Sequence, residues 1–184
     1  MSLYGPPGSG KSFSTLLFAE GLAKRDKKRI AYVDTERGTD FYAKKAPRPT
    51  HPEAFDFDAL YTTSLADVLD SVKSLDPEVH GVVVIDSISH MWEAAMAAYE
   101  GKKTSLDGIP MHAWGQIKKP YKELIRYLMD APFHVFILGR QKNIFETDDR
   151  DNLKKVGVGM KAEGETSYEP HICARMEGRQ DEKD

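Results

Sequence analysis

GPPGSGKS, residues 5 to 12, follows the pattern G-x-x-x-x-G-K-[ST], with Gly5, Gly10, Lys11 and Ser12 in the fixed positions. Glycines at this spacing let the backbone curl until several N–H groups point inward, a cradle for phosphate. Pro6 and Pro7 have no N–H to give and fall on the approach side of the loop. The donors come from the end of the loop, where a helix begins and its dipole adds to the attraction for an anion. The expected nucleotide-binding set is Gly5, Gly8, Ser9, Gly10, Lys11, Ser12 and Phe13. Lys11 acts as a mobile point charge on the terminal phosphates, and the Ser12 hydroxyl is small and hard enough to enter an octahedral magnesium shell. Chance produces such a pattern in roughly one chain in a hundred or fewer, so a plain helix-capping turn is the weaker explanation.

The flanks bear on this reading. From Phe13 apolar residues recur at 13, 16, 17, 19, 22 and 23 among others, and the run closes on Lys24 and Arg25, cations suited to a helix C-terminus. Only Ser2, Leu3 and Tyr4 stand before the loop where five or so strand residues are usual, so the first strand is expected to be a stub or truncated.

The whole chain has 184 residues, 40% of them apolar, enough for one core, and a single domain with a polar tail at 177–184 is expected. A net charge of −3 argues against bulk attraction to nucleic acid or acidic membranes, although lysine pairs recur along the chain. The one cysteine, Cys173, excludes an internal disulfide framework. No apolar run approaches a membrane span and no signal peptide is seen, so a cytoplasmic protein without a membrane partner is expected.

Further along, RIAYVDTE (29–36) reads as a strand closing on acidic residues, and 55–62 as another. Ser64 and Asp67 form a capping pattern ahead of a helix that stops before Pro77. GVVVIDS (81–87) is a continuous apolar run, the mark of a parallel strand covered on both faces. A helix follows it, then a polar loop at 101–111 and a second helix over 112–131 containing Pro120. HVFILGRQ (134–141) is the next buried strand. The charged segment 142–168 is expected to be a hairpin or loop, and a last strand lies in YEPHICARME.

Strands alternating with helices predict a three-layer α/β fold around a mostly parallel sheet, with ligands at the carboxyl ends of the strands. That rule brings the loop, Glu36, Asp86, Arg140 and Gln141 to one rim. Asp86 is the expected second magnesium position beside Ser12. Glu36 is the expected water-activating carboxylate, because Ser87 stands directly after Asp86.

The succession YGPPGSGKS, IAYVDTE, VVVIDS and VFILGRQ resembles the core of the RecA-like recombinase ATPases, most nearly bacteriophage AAA-domain or RecA-core single-strand annealing ATPases. The likeness spans Tyr4 to about Met176. It implies a P-loop fold of RecA-like type that hydrolyses ATP with Mg2+. Glu36 would act on the attacking water, Lys11 on the phosphates, and Arg140 or Gln141 would sense the terminal phosphate. It also implies a homo-oligomeric ring or filament completed by a cation in trans, Lys161 or Arg175, and single-stranded DNA bound through two loops. By position these loops are 101–111 and 142–168, with Lys102, Lys103, Lys154, Lys155 and Lys161 as the DNA contacts. The bland alternative is that those lysines keep the loops solvated, and Phe145 is the only ring in the second loop before Tyr168. Two other functions fit the same loop: a small-molecule kinase, although 142–168 holds only Arg150 where a lid is usually arginine-rich, and a nucleotide-gated binding module with little turnover.

Overall fold

The computed structural model describes residues 1–45, 51–100, 114–148, 152–164 and 166–177. Its elements run β1 (Ser2–Gly5), α1 (Lys11–Asp26), β2 (Arg29–Asp34), β3 (Asp58–Tyr61), α2 (Leu65–Ser74), β4 (His80–Asp86), α3 (Ile88–Glu100), α4 (Trp114–Asp130), β5 (His134–Thr147), β6 (Leu153–Met160) and β7 (Cys173–Arg175). Six strands line up in the order β3-β2-β4-β5-β1-β7, and every neighbouring pair is parallel. β6 stands off this path and pairs antiparallel with β5. The expected mostly parallel α/β sheet is what the chain forms.

β4 shows why its sequence is uniformly apolar. Val82 and Val84 face one way, into a cluster with Leu16, Ala19 and Ala23 of α1. Val83 and Ile85 face the other way, among Val68 and Val72 of α2, Met91 of α3 and Leu124 of α4. Successive side chains alternate faces, and helices on both sides bury all four completely.

Three boundaries are shorter than the sequence predicts, for local reasons. β2 stops at Asp34, because the Asp34 carboxylate accepts hydrogen bonds from the backbone N–H of Glu36 (2.8 Å) and Thr39 (2.9 Å) and turns the chain off the sheet. β3 begins only at Asp58, since Phe55 is buried against the rings of Phe13 and Tyr42 instead. The last strand is confined to Cys173–Arg175. α2 opens as predicted, with the Ser64 hydroxyl accepting from Asp67 N–H at 3.2 Å.

β1 has only four residues, yet it is hydrogen-bonded on both sides, to β5 and β7. The segment after the predicted 134–141 strand is a hairpin: β5 runs on to Thr147 and β6 returns beside it, from Thr147↔Leu153 to Gln141↔Met160. The loop at 101–111 and the first two residues of the predicted 112–131 helix lie outside the described residues.

Candidate functional site

The order of the strands builds the site. β5 is inserted between the strand that enters the phosphate loop and the strand that ends in Asp86, so Arg140 lies level with Gly5 in one pairing, and Leu138 with Asp86 in the other. Two backbone contacts hold these ends together: Arg140 N–H donates to the Ser89 hydroxyl at 2.9 Å, and Thr35 N–H to the Asp86 carbonyl at 2.7 Å. The result is a cavity of about 220 Å3 lined by Pro7, Gly8, Gly10, Lys11, Ser12, Glu36, Tyr42, Asp86, Ser87 and Arg140.

The loop has the conformation its glycines permit. Gly8 and Gly10 adopt φ of 75° and 84°, values that a side chain disfavours. Gly5 is needed for a different reason, since a Cβ there would run into the Met176 carbonyl. The Lys11 ammonium donates to the carbonyls of Pro6 (2.9 Å) and Gly5 (3.2 Å), which leaves one of its three protons for a further acceptor. Burial pushes the Lys11 ammonium below its ordinary pKa, and the carboxylates of Asp86 and Glu36 partly offset this.

Ser12 and Tyr32 both donate to the same Asp86 oxygen, Oδ2, each at 2.6 Å. Burial raises the Asp86 pKa, and these two hydroxyls counter it in part. The donor set suits magnesium: a hydroxyl and a carboxylate, both hard oxygens, meet at the lip of the loop. The loop amides suit a phosphate, and behind them the Ser9 hydroxyl is buried with no partner among the described residues.

Glu36 faces the cavity from the end of β2. Its Oε1 accepts from Ser87 Oγ and Arg140 Nε, both at 3.2 Å, and lies 3.4 Å from His90 Nδ1. Its Oε2 meets Arg140 Nη2 at 3.1 Å. The carboxylate therefore sits in the fork of a guanidinium, a planar two-point grip that lysine cannot reproduce. Thr35 Oγ1 accepts from Ser87 N–H at 2.8 Å and lies 3.2 Å from the same His90 nitrogen.

Of the residues expected from sequence, Gly8, Gly10, Lys11, Ser12, Glu36, Asp86 and Arg140 meet around the cavity. Gly5 and Ser9 shape the loop behind it. Phe13 is not among the lining residues, and its ring stacks on that of Tyr42 with centroids 6.4 Å apart. Gln141 is not among the lining residues, and its amide oxygen is buried without a partner among the described residues. Lys154 and Lys155 are exposed on β6, whereas Lys161 at the foot of the hairpin is paired with Glu93. Arg175 pairs with Glu177 at 2.8 Å. Lys102 and Lys103 lie outside the described residues.

Sequence reasoning missed Tyr32, Thr35, Ser87, Ser89 and His90. Tyr32 looks like an ordinary strand aromatic until the β2–β4 register brings its hydroxyl to the Asp86 carboxylate. His90 gave no signal either, since the groups it meets, Thr35 and Glu36, follow a different strand.

No curated protein matches this sequence. A family model described as an AAA domain matches residues 1–171, nearly the whole chain and all of the cavity. Together with the phosphate loop and its parallel sheet, the match shows that the chain belongs to the AAA-domain family, as a nucleotide-binding ATPase domain.

Proposed function

We infer that the chain is a magnesium-dependent, RecA-like ATPase that couples ATP turnover to assembly on single-stranded DNA, in recombination, replication or repair of the bacteriophage type. The observation that carries the hydrolytic part is the convergence of Lys11, Ser12, Asp86, Glu36 and Arg140 on one cavity of about 220 Å3. Ser12 and Asp86 would hold magnesium, which when bound neutralises charge on the phosphates. The loop amides and Lys11 grip the phosphate chain. Glu36 orients a water on the terminal phosphorus and takes its proton as the bond to ADP breaks, and Arg140 steadies the charge on the transferred group.

The DNA part is supported by the hairpin. Phe145 stands directly across from Lys155, and Glu146 from Lys154, so a ring and a cation share one face of an exposed two-stranded ribbon. Rings stack on bases and lysines meet phosphates, the usual means of holding a single strand without sequence preference. The ribbon continues the strand that carries Arg140, a direct mechanical link from DNA to the nucleotide site. A homo-oligomer, with Lys161 or Arg175 reaching a neighbour's nucleotide, belongs to the same proposal.

The test is steady-state hydrolysis of ATP with and without single-stranded DNA at low and moderate salt. Stimulation that fades as salt rises is expected. Turnover indifferent to DNA would remove the coupling, and transfer of the phosphoryl group to a nucleoside acceptor instead of water would replace the hydrolase by a kinase.

A further inference from the structure

The grip on Glu36 has two parts that behave differently once a terminal phosphate is present. Arg140 holds both carboxylate oxygens, through Nε to Oε1 and Nη2 to Oε2. An arginine that turns to a phosphate gives up both contacts at once. What then remains on Glu36 is confined to Oε1: the Ser87 hydroxyl at 3.2 Å and the His90 imidazole at 3.4 Å. Among the described residues Oε2 has Arg140 as its only partner, so its lone pairs are released for a water proton.

We propose that His90 is the positioning residue that, with Ser87, anchors Oε1 of Glu36 and so aims Oε2 at the attacking water. The imidazole is well placed for this. It stands on the third residue of α3, whose start is tied to β5 by the Ser89 hydroxyl and the backbone N–H of Arg140 at 2.9 Å, a contact independent of the Arg140 side chain. Thr35 Oγ1 lies 3.2 Å from Nδ1 and is itself fixed by Ser87 N–H, so the ring is oriented from a second side. The Thr35 hydroxyl has backbone acceptors of its own in the carbonyls of Asp86 (3.3 Å) and Ser87 (3.4 Å). It does not need the imidazole nitrogen, and in the tautomer with hydrogen on Nδ1 that hydrogen lies between Thr35 Oγ1 at 3.2 Å and Glu36 Oε1 at 3.4 Å. His90 is absent from the cavity lining, so it acts through Glu36 and not on the nucleotide.

This role rests on the reading of Glu36 and Arg140 given above, and the variants are chosen to separate the two. Asn and Leu have nearly the same shape, and only Asn keeps an N–H near the position of Nδ1. His90→Leu is expected to lower kcat about tenfold or more with MgATP affinity unchanged, and His90→Asn to recover most of the loss. In a Glu36→Gln background His90→Leu should bring no further loss in single-turnover hydrolysis, because the group it positions is gone. Should His90→Leu fail to fold, His90→Ala takes its place in the same comparison with His90→Asn. Equal turnover of the apolar and Asn variants, a loss confined to ATP affinity, or a full further loss in the Glu36→Gln background would each overturn the proposal. A Glu36→Gln enzyme as active as wild type removes the base itself, whereas an inactive Glu36→Gln beside a fully active His90→Leu removes His90 alone.

Discussion

Lys11 and Asp86 make opposite demands on their surroundings, and substitutions there should separate binding from stability. Lys11→Ala removes a charged donor from the phosphates and is expected to weaken MgATP binding by about 1.5–3 kcal/mol, roughly one to two decades in Kd by titration. Asp86 is a carboxylate whose ionisation burial opposes. Asp86→Asn should abolish magnesium-dependent turnover without lowering the thermal midpoint, since it removes a charge the fold does not favour. Asp34 is the reverse case. Burial alone would raise its pKa, but hydrogen bonds from the Thr39 hydroxyl and the amides of Thr39, Glu36 and Arg37 outweigh it and hold the value below the ordinary range. A depressed folded pKa stabilises the fold above the ordinary carboxylate value of about 3.9 and loses that contribution as pH falls through the lower, folded value. Asp34→Asn should therefore cost about 1–3 kcal/mol at neutral pH, and urea unfolding should show the gap to wild type closing in acid. An equal gap at all pH values would contradict the assignment. Residues of this kind were unevenly legible. Lys11, Ser12 and Asp86 lie in motifs that carry their chemistry on the surface of the sequence. Tyr32 and His90 do not, because their roles exist only after two strands and a helix have been brought into register.

Secondary structure was read most securely where local chemistry decides it. The Ser64 cap was visible as Ser-x-x-Asp and is made as expected, so Ser64→Ala should cost about 1 kcal/mol in thermal or urea unfolding, with activity retained. The run GVVVID was visible because helices on both faces leave it no polar position. The ends of β2 and β3 were misjudged because a side chain carboxylate and an aromatic cluster, neither of them periodic, take the chain off the sheet. The buried residues of β5, 136–139, all lie in its first half. Its second half, exposed and charged, reads in sequence as a hairpin or loop, and pairing with β6 makes it the hairpin. At the end of its buried run, a Cβ on Gly139 would strike the Met160 side chain. Gly139→Ala is expected to cost about 1–3 kcal/mol of stability and, by shifting the neighbouring Arg140, to lower kcat as well. Unchanged stability would mean that Met160 yields freely.

For the molecule as a whole, alternation of strands and helices implied a parallel sheet but not the order of its strands. The insertion of β5 between β1 and β4 follows from long-range packing, and it is this order that sets Arg140 between the phosphate loop and Asp86. The family match covers residues 1–171 and so includes every one of these parts. No helix among the described residues is long and apolar enough to cross a membrane. In the proposed mechanism hydrolysis turns on Glu36, a carboxylate that lines the cavity beside Asp86 and is held there by arginine, serine and histidine. The decisive measurement is a pairing of MgATP affinity with the rate of phosphate release for wild type and Glu36→Gln. Affinity should change by no more than about twofold while phosphate release falls about 10²- to 10⁴-fold. Phosphate release at the wild-type rate from Glu36→Gln would contradict the account at its centre.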